Sequence, residues 1–568
     1  MPKGTPADWL SAAEADEVHF AFPREVHEDL MDVLFPSEGH PFHGMGERGA
    51  FAVLSKSTGN RRVTYIVEEV VHPESSEDLE LTGTLSGNDG SDRDDDGTGR
   101  FGSWFGGNSE STNTNYDSEL GYQFSEEYHE RAVERAKARG GGLIRIHTQP
   151  GGVRASPIDI ESAARVYKAD RDRLPVGAPW GAAITNEAGE WSMRVYEDAR
   201  HDDEPVVTHA DRVRIVGPTL DDSALSIQPT RRSASRGEGP SVDDKEQDST
   251  IQLWGEADQA TLADLRVGVV GCGGVGSILA EHLARLGVGE LVFVDFDRLE
   301  EANFNRAQGA RRIDVRHERL KTEVAERVAR RSATAQGFET HIVDGSVVDD
   351  DSEYAAVPAL LDCDLILSGV DAARPRQVLD AVARAHCIPV IDGGSLLHAD
   401  DDGVLQPEAK IETAVAGPGW ACFNCQRVWT QEDVDYEADH PKFRGERGYV
   451  PGGVDPEEDE EATRDPSVIG VNSLVAGLMQ RRLLAIVLGS AEGVEGTLRV
   501  RVRDVETNWQ SQWGCDPDCG APSVGVGDRE ELPTGTDWGM RYERDDIPMP
   551  ETRVSDNAAD LLDNDLRR

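Results

Sequence analysis

Two groups of residues in this chain have types and spacings that can do chemistry. Gly271-Cys-Gly-Gly-Val-Gly-Ser277 directly follows the apolar run Val267-Gly-Val-Val-Gly271. Glycines at such a point allow a tight turn and let backbone N–H groups approach a phosphate, which also gains from the positive end of the helix opening there. Asp295 ends the next apolar run, Leu291-Val-Phe-Val-Asp295, placed to accept hydrogen bonds from a ribose. Gly271, Gly273, Gly274, Gly276 and Asp295 are thus candidate nucleotide contacts. They specify a nucleotide and not a reaction, because an NAD-binding domain would use the same features. The second group is Cys422-Phe-Asn-Cys425 and Cys515-Asp-Pro-Asp-Cys519, four of the chain's seven cysteines. Two thiolate pairs can close a tetrahedral Zn²⁺ site that ties a distal loop to the end of a domain, with two local redox disulfides as the rival reading.

The elements that must position these groups follow from pattern. Between Leu265 and Gly394, short β-branched runs (Val267–Gly271, Leu291–Asp295, His341–Val343, Leu365–Ser368, Ile388–Ile391) alternate with helical stretches at Ile278–Leu286, Lys321–Arg331 and Arg376–Ala385. Short buried strands alternating with helices predict a parallel, doubly wound α/β sheet with its ligand at the carboxyl ends of the strands. Upstream, strand-like runs at Gly46–Leu54 and Val63–Val71 precede a helix over Ser125–Arg139 and the run Leu143–Pro150. Residues 75–123, rich in Gly, Ser, Asn and Asp, read as a solvated acidic insertion. Residues 221–248 read as a linker and 520–568 as an acidic, disordered tail, leaving an N-terminal domain over 1–220 and a second domain over 249–519.

Composition narrows the function classes. At 568 residues there is room for about two or three domains. A net charge of −49 repels nucleic acid and anionic membrane, so neither is an expected partner. No run reaches eighteen apolar residues, since the best candidate, Ser473–Gly489, is cut by Gln480-Arg481-Arg482. No charged start with an apolar run and small-residue cleavage site appears at Met1–Ala21, which sets the expectation of a cytoplasmic protein.

The stretch Asp295-Phe-Asp-Arg-Leu-Glu-Glu-Ala-Asn-Phe-Asn-Arg-Ala-Gln308, followed by Lys321 and then Ser368-Gly-Val-Asp371, resembles the ubiquitin-activating-enzyme-like ThiF/MoeB/HesA superfamily of adenylyltransferases. The resemblance implies a Rossmann-like ThiF fold binding ATP and Mg²⁺. It places Asn303 with the nucleotide, and makes Arg306 and Lys321 the cations that stabilise charge building on a triphosphate. Asp371 would hold Mg²⁺, and Arg376 matches an arginine on the helix that follows. Cys422, Cys425, Cys515 and Cys519 would hold structural zinc, although the second pair has three intervening residues where the family usually has two. Residues 426–467 contain no cysteine, which resembles members that adenylate a carrier without forming a thioester. Ser249 stands where the family tends to place an arginine that some relatives deliver across a homodimer.

Glu47, the run Leu143-Ile-Arg-Ile-His-Thr-Gln-Pro150 and Ser156-Pro-Ile-Asp159 resemble the JAB/MPN (JAMM) fold of ubiquitin-type isopeptidases, an α/β, cytidine-deaminase-like domain. This implies Glu47 as general base, His147 and Asp159 as zinc ligands and Ser156 as an oxyanion donor. Gln149 replaces the family's second histidine with a weaker ligand, so an active zinc peptidase and an inactive carrier-binding domain both stay open.

Together these imply ATP-dependent adenylation of the C-terminal carboxylate of a ubiquitin-like or sulfur-carrier protein ending in Gly-Gly. The alternatives are a non-catalytic scaffold for ubiquitin-like proteins and an NAD-dependent oxidoreductase. Only 8 of the 58 basic residues are lysine; this and the acid excess resemble proteins of a salt-loving cytoplasm, where a Debye length of about 3 Å screens self-repulsion. The melting temperature should therefore fall on desalting from molar KCl, and a melt indifferent to KCl would contradict the halophilic reading.

Overall fold

The computed structural model describes residues 10–37, 48–75, 78–80, 123–149, 152–198, 204–217, 246–349, 355–399, 405–417, 420–439, 468–488, 497–502, 507–510, 514–516, 519, 526–530 and 532–534. Glu47, nearly all of the acidic insertion and linker, and most of the C-terminal tail lie outside them.

The N-terminal half is built on an eight-stranded mixed sheet. Its elements are β1 (Glu17–Pro23), α1 (Arg24–Leu34), β2 (Gly49–Thr58), β3 (Arg62–Val71), the short pair β4 (Leu79–Glu80) and β5 (Gln123–Phe124), α2 (Glu126–Arg139), β6 (Gly142–Thr148), α3 (Pro157–Asp170), β7 (Trp180–Thr185), β8 (Trp191–Glu197), β9 (Val206–His209) and β10 (Arg212–Val216). The spatial order is β10-β1-β3-β2-β6-β7-β8-β9. Alternation along β2 divides the core: Ala50, Ala52 and Leu54 join the cluster with β1, while Phe51 and Val53 pack with Tyr128, Ala132 and Val133 of α2 and Ala163 and Val166 of α3.

The C-terminal half comprises α4 (Asp248–Trp254), α5 (Glu256–Ala263), β11 (Arg266–Val270), α6 (Gly276–Leu286), β12 (Glu290–Val294), α7 (Arg312–Arg316), α8 (Lys321–Ser332), β13 (Glu339–Val343), α9 (Val357–Leu360), β14 (Leu365–Ser368), α10 (Ala373–His386), β15 (Val390–Ala399), β16 (Leu405–Ala414), α11 (Gln431–Asp439), α12 (Ile469–Leu488), β17 (Thr497–Arg501) and β18 (Thr507–Gln510). The sheet runs β13-β12-β11-β14-β15-β16-β17-β18. The first five strands are parallel and the rest antiparallel. This is a doubly wound arrangement whose strand order reverses between β11 and β14, the crevice where such sheets bind ligands. By length and composition α12 could cross a membrane, yet Val475, Ala476, Met479 and Leu483 are fully buried in the core cluster containing α6 and β11.

The halves dock through the amino ends of their parallel strands. Asp364, just before β14, accepts from the Arg62 guanidinium at 2.9 Å and from the Arg266 backbone N–H at 2.9 Å, with Arg214 at 3.6 Å. Asp362 accepts from the amides of Arg61 and Arg62. Glu17 pairs with Arg62 and Arg266, Arg61 reaches Glu290, and Arg212 pairs with Asp264. Gly59 permits this approach, since a Cβ there would lie 2.1 Å from an Asp362 oxygen. Residues 526–530, expected from sequence to be unstructured tail, instead pack on β2: Asp528 accepts from the Thr58 hydroxyl at 2.6 Å, and Arg529 binds Ser55 and Glu68. An apolar patch of Ala21, Ile66, Val216, Cys387 and Ala416 completes the seam.

Burial alone would raise the Glu17 carboxyl, but Arg62 and Arg266 outweigh it and hold it down at about 2, and arginines likewise hold Asp364 below the usual carboxylate range. A depressed carboxyl contributes stability that is complete above its unfolded value and lost as pH falls toward the folded one. Unfolding midpoints should therefore drop between about pH 5 and 2, and less steeply in Glu17→Gln. Asp364→Ala, which strands buried guanidiniums, should cost about 3–5 kcal/mol in denaturant unfolding at pH 7. A loss no larger than that of a surface substitution would refute the assigned role of the seam.

Candidate functional site

The glycine turn leaves β11 at its carboxyl end and enters α6. Gly271 adopts a φ of +84°, and a Cβ there would meet the Gly369 carbonyl at 3.0 Å. At Gly276 a Cβ would lie 1.9 Å from the Gly271 oxygen, so the turn closes only on glycine. Gly273 has nothing within 4 Å of its Cβ position, leaving that side of the turn open to a ligand. The Cβ position of Gly274 faces the Asn472 amide of α12 at 2.3 Å and the Arg306 Cδ at 3.5 Å.

Asp295 is tied to this turn. Its carboxylate accepts from the Cys272 N–H at 2.7 Å and from the Asp297 N–H at 2.8 Å. Burial pushes its carboxyl up to about 6, partly opposed by the ammonium of Lys321. Lys321 opens α8 and places Nζ 2.5 Å from Asp297. Burial would lower that ammonium, but Asp295 and Asp297, with Asp371 beyond them, outweigh it and raise its pKa. Lys321 thus lies within electrostatic reach of carboxylates on two strand ends.

The segment between Asp295 and Lys321 holds the second cation. Asn303 ends a short 3-10 turn, Glu301–Asn303, where its side chain caps the Glu300 N–H at 3.0 Å and its carbonyl receives the Arg306 N–H at 3.0 Å. Arg306 donates to the Ala302 carbonyl at 2.7 Å. Gln308 clamps the segment to α6 through Ser277 and Glu281. Asp371 follows β14 and is exposed, while Arg376 on α10 donates to the Val370 carbonyl at 2.7 Å. Arg306 thus has its Cδ beside the Gly274 position of the turn while its guanidinium turns back to Ala302 and Asn305, and Lys321 is coupled to Asp295, which is tied to the turn through the Cys272 amide. Asp297 and Asn472 were not singled out: Asp297 could have been noticed two positions past Asp295, but nothing local links Asn472 to a turn two hundred residues earlier.

The four cysteines converge as well. Their sulfurs all lie within 4.8 Å of one another, and those of Cys422 and Cys519 are 3.6 Å apart. A tetrahedral tetrathiolate with metal–sulfur bonds near 2.3 Å requires about 3.8 Å between sulfurs, so the donor set fits. Backbone N–H groups of Cys422, Cys425 and Asp516 point at cluster sulfurs, as they would toward thiolates.

The N-terminal candidates differ. His147 Nε2 is 3.9 Å from an Asp159 oxygen. Ser156 and Asp159 form a reciprocal capping box at the start of α3, with Asp159 accepting from the Ser156 N–H at 2.7 Å and Ser156 Oγ accepting from the Asp159 N–H at 3.2 Å. Burial, then Arg145 and Arg194, push the His147 imidazole down to about 3. Gln149 has a buried side-chain oxygen without a hydrogen-bond partner, and Glu47 is outside the described residues. Among the described residues only the cysteines form a group of three or more metal-ligating side chains.

Residues 246–511 match the ThiF family model. The chain is 34% identical over 146 residues to the tRNA threonylcarbamoyladenosine dehydratase of Escherichia coli (strain K12), covering 26% of this chain and 52% of that protein. It is 28% identical over 167 residues to the molybdopterin-synthase adenylyltransferase of the same organism, covering 29% and 60%. It is 30% identical over 183 residues to ubiquitin-like modifier-activating enzyme 5 of Drosophila pseudoobscura pseudoobscura, covering 29% and 40%. The chain thus spans about half the length of the curated relatives it matches. Among solved structures, E. coli MccB with succinimide is similar at 17% identity and a TM-score of 0.37, over 49% of this chain and 74% of that one. A ThiF family domain therefore occupies the C-terminal region.

The match ends at 511, before Cys515 and Cys519, whose sulfurs converge with those of Cys422 and Cys425. Metal-stripped protein titrated with Co²⁺ should develop the intense visible absorption of a tetrahedral tetrathiolate, lost in Cys422→Ser. Weak octahedral absorption would refute the cluster as a metal site.

Proposed function

We propose that the C-terminal domain adenylates a carboxylate with ATP, and that the carboxylate belongs to the C-terminus of a ubiquitin-like or sulfur-carrier protein ending in Gly-Gly. The observation that carries this reading is the gathering of Lys321, Arg306 and Asp371 around a glycine turn already tied to Asp295. A dinucleotide site has no need of two cations and a further carboxylate there, whereas a triphosphate under attack does. The names of two relatives, an adenylyltransferase and a ubiquitin-like modifier-activating enzyme, support the same reading. The third name concerns a tRNA nucleoside, but a chain of net charge −49 is poorly suited to a polyanion.

In the proposed reaction a carboxylate oxygen attacks the α-phosphorus, the bond to the β-phosphate oxygen breaks, pyrophosphate leaves and an acyl-adenylate remains. The turn amides and the start of α6 receive phosphate oxygens, Asp295 receives the ribose hydroxyls, and Arg306 and Lys321 balance the growing negative charge. Lys321 would exchange Asp297 for a phosphate oxygen as nucleotide enters. Asp371, an exposed oxygen donor, suits Mg²⁺, which supplies charge neutralisation on the phosphates. Zn²⁺ on Cys422, Cys425, Cys515 and Cys519 would be structural.

For the N-terminal domain the observations weigh against zinc peptidase chemistry. Asp159 caps α3 through one oxygen and turns the other toward His147, but Gln149 offers only a neutral amide, and a dication beside His147 would face Arg145 and Arg194. These residues do not fit a zinc centre, and no hydrolytic step is assigned to them.

Wild-type protein should exchange labelled pyrophosphate into ATP when a Gly-Gly-terminated carrier is present. Arg306→Ala and Asp371→Ala should lower that rate by about 10²–10³. Affinity for ATP should weaken as pH falls below about 6, the point to which burial raises Asp295, because the ribose acceptor is then protonated; Asp295→Asn should flatten that profile. Nicotinamide binding without exchange would establish the oxidoreductase instead, and carrier binding without exchange a scaffold.

A further inference from the structure

The connection from β14 to α10 carries Asp371, and its backbone is held by side chains that the nucleotide reading does not use. α10 starts at Ala373 behind Ala372, an N-cap residue with no side-chain oxygen to offer the orphan amides of the first turn. Those amides are served from another helix. Glu437 of α11 accepts from the Ala373 N–H at 2.6 Å and from the Arg374 N–H at 3.2 Å, and is 5% exposed. On the other side of Asp371, Arg376 holds the Val370 carbonyl, and Asp392 receives the Ser368 hydroxyl at 2.7 Å while facing Arg376 at 3.3 Å.

A buried carboxylate bridging two first-turn amides is a strong cap, because it combines charge-assisted hydrogen bonds with the positive helix end. Its removal leaves two donors seeking an acceptor. The carboxylate closest in sequence is Asp371 itself, one residue before the N-cap, and short acidic side chains readily turn onto amides two or three residues ahead.

The geometry points to Glu437 as a positioning residue that holds the Asp371 carboxylate free for a divalent cation by capping α10 in its place. This rests on the reading of Asp371 as the Mg²⁺ residue. α11 follows the Cys422–Cys425 turn, and Asp380 of α10 accepts from the Phe423 N–H at 3.1 Å and the Trp429 indole at 3.2 Å, so the helix bearing Glu437 is anchored to α10 through that turn.

The test is calorimetric binding of ATP across a Mg²⁺ series, with thermal melting alongside, for wild type, Glu437→Gln and Glu437→Ala. Glu437→Ala should need about tenfold more Mg²⁺ for half-maximal binding while keeping its affinity for ATP at saturating Mg²⁺. Glu437→Gln, which retains one acceptor oxygen, should fall between. In an Asp371→Asn background, Glu437→Ala should shift the Mg²⁺ requirement no further. Wild type binding Mg·ATP with an unshifted Mg²⁺ requirement in Glu437→Ala would overturn the positioning role alone. Equal losses with and without Mg²⁺, matched by a lowered melting temperature, would also overturn it in favour of simple helix stability. Wild type that binds ATP with no Mg²⁺ dependence would overturn the Asp371 reading and this proposal together.

Discussion

The arrangement of the molecule depends on Asp364 lying among the guanidiniums of Arg62 and Arg214 and on the Arg266 amide. Each partner alone would be costly to bury, but together they satisfy one another across a seam that removes water from all of them. Arg62 and Arg214 belong to strands of the first sheet; Arg266 begins β11, and Asp364 precedes β14. The seam thus joins amino ends to amino ends, and the carboxyl ends of both parallel sets are left facing away. At about 3.3 Å per residue along β2 and β11, the neighbourhood of His147 and the glycine turn are on the order of 40 Å apart. The two candidate faces are therefore opposed rather than joined in one channel.

At the nucleotide face the same economy of contacts recurs at smaller scale. Asp295 fixes the turn through the Cys272 amide, Asn303 fixes the turn bearing Arg306, and Glu437 fixes the helix after Asp371. The turn, the segment bearing Arg306 and the helix after Asp371 are thus each backed by a carboxylate or amide whose hydrogen bonds are committed to backbone. Pre-arrangement of this kind lets charge on a transferring phosphoryl group be met without reorganisation.

The doubly wound half was legible because its signals are local. Four of the five parallel strands and the three expected helices lie within a few residues of the expected bounds, whereas β15 runs on to Ala399, eight residues past the expected end at Ile391, because its far half pairs with β16; the glycine turn is defined by neighbours in sequence. The seam was not legible: Arg62, Asp362 and Asp364 each look like solvated charge until two distant segments meet. β1 pairs with β10 nearly two hundred residues away, a register that no periodicity encodes. Ser156 and Asp159 show the opposite difficulty. The spacing Ser-x-x-Asp before an apolar run is also a helix start, and the capping box accounts for both residues locally. In sequence the apolar run Ser473–Gly489 is cut by Gln480-Arg481-Arg482; in the fold Arg482 is buried and donates to Thr413, so the charge belongs to the core rather than interrupting it.

The skew from lysine to arginine gains a physical sense from where the two residue types sit. Buried positions that hold several acceptors at once, at Arg62 and Arg266, carry the planar guanidinium, whose fork suits fixed multiple bonds. Lys321 is different: one compact charge, a flexible stem and a single carboxylate partner in Asp297. A group that must leave one anion for another as nucleotide arrives is better served by a point charge than by a fork already committed to a geometry.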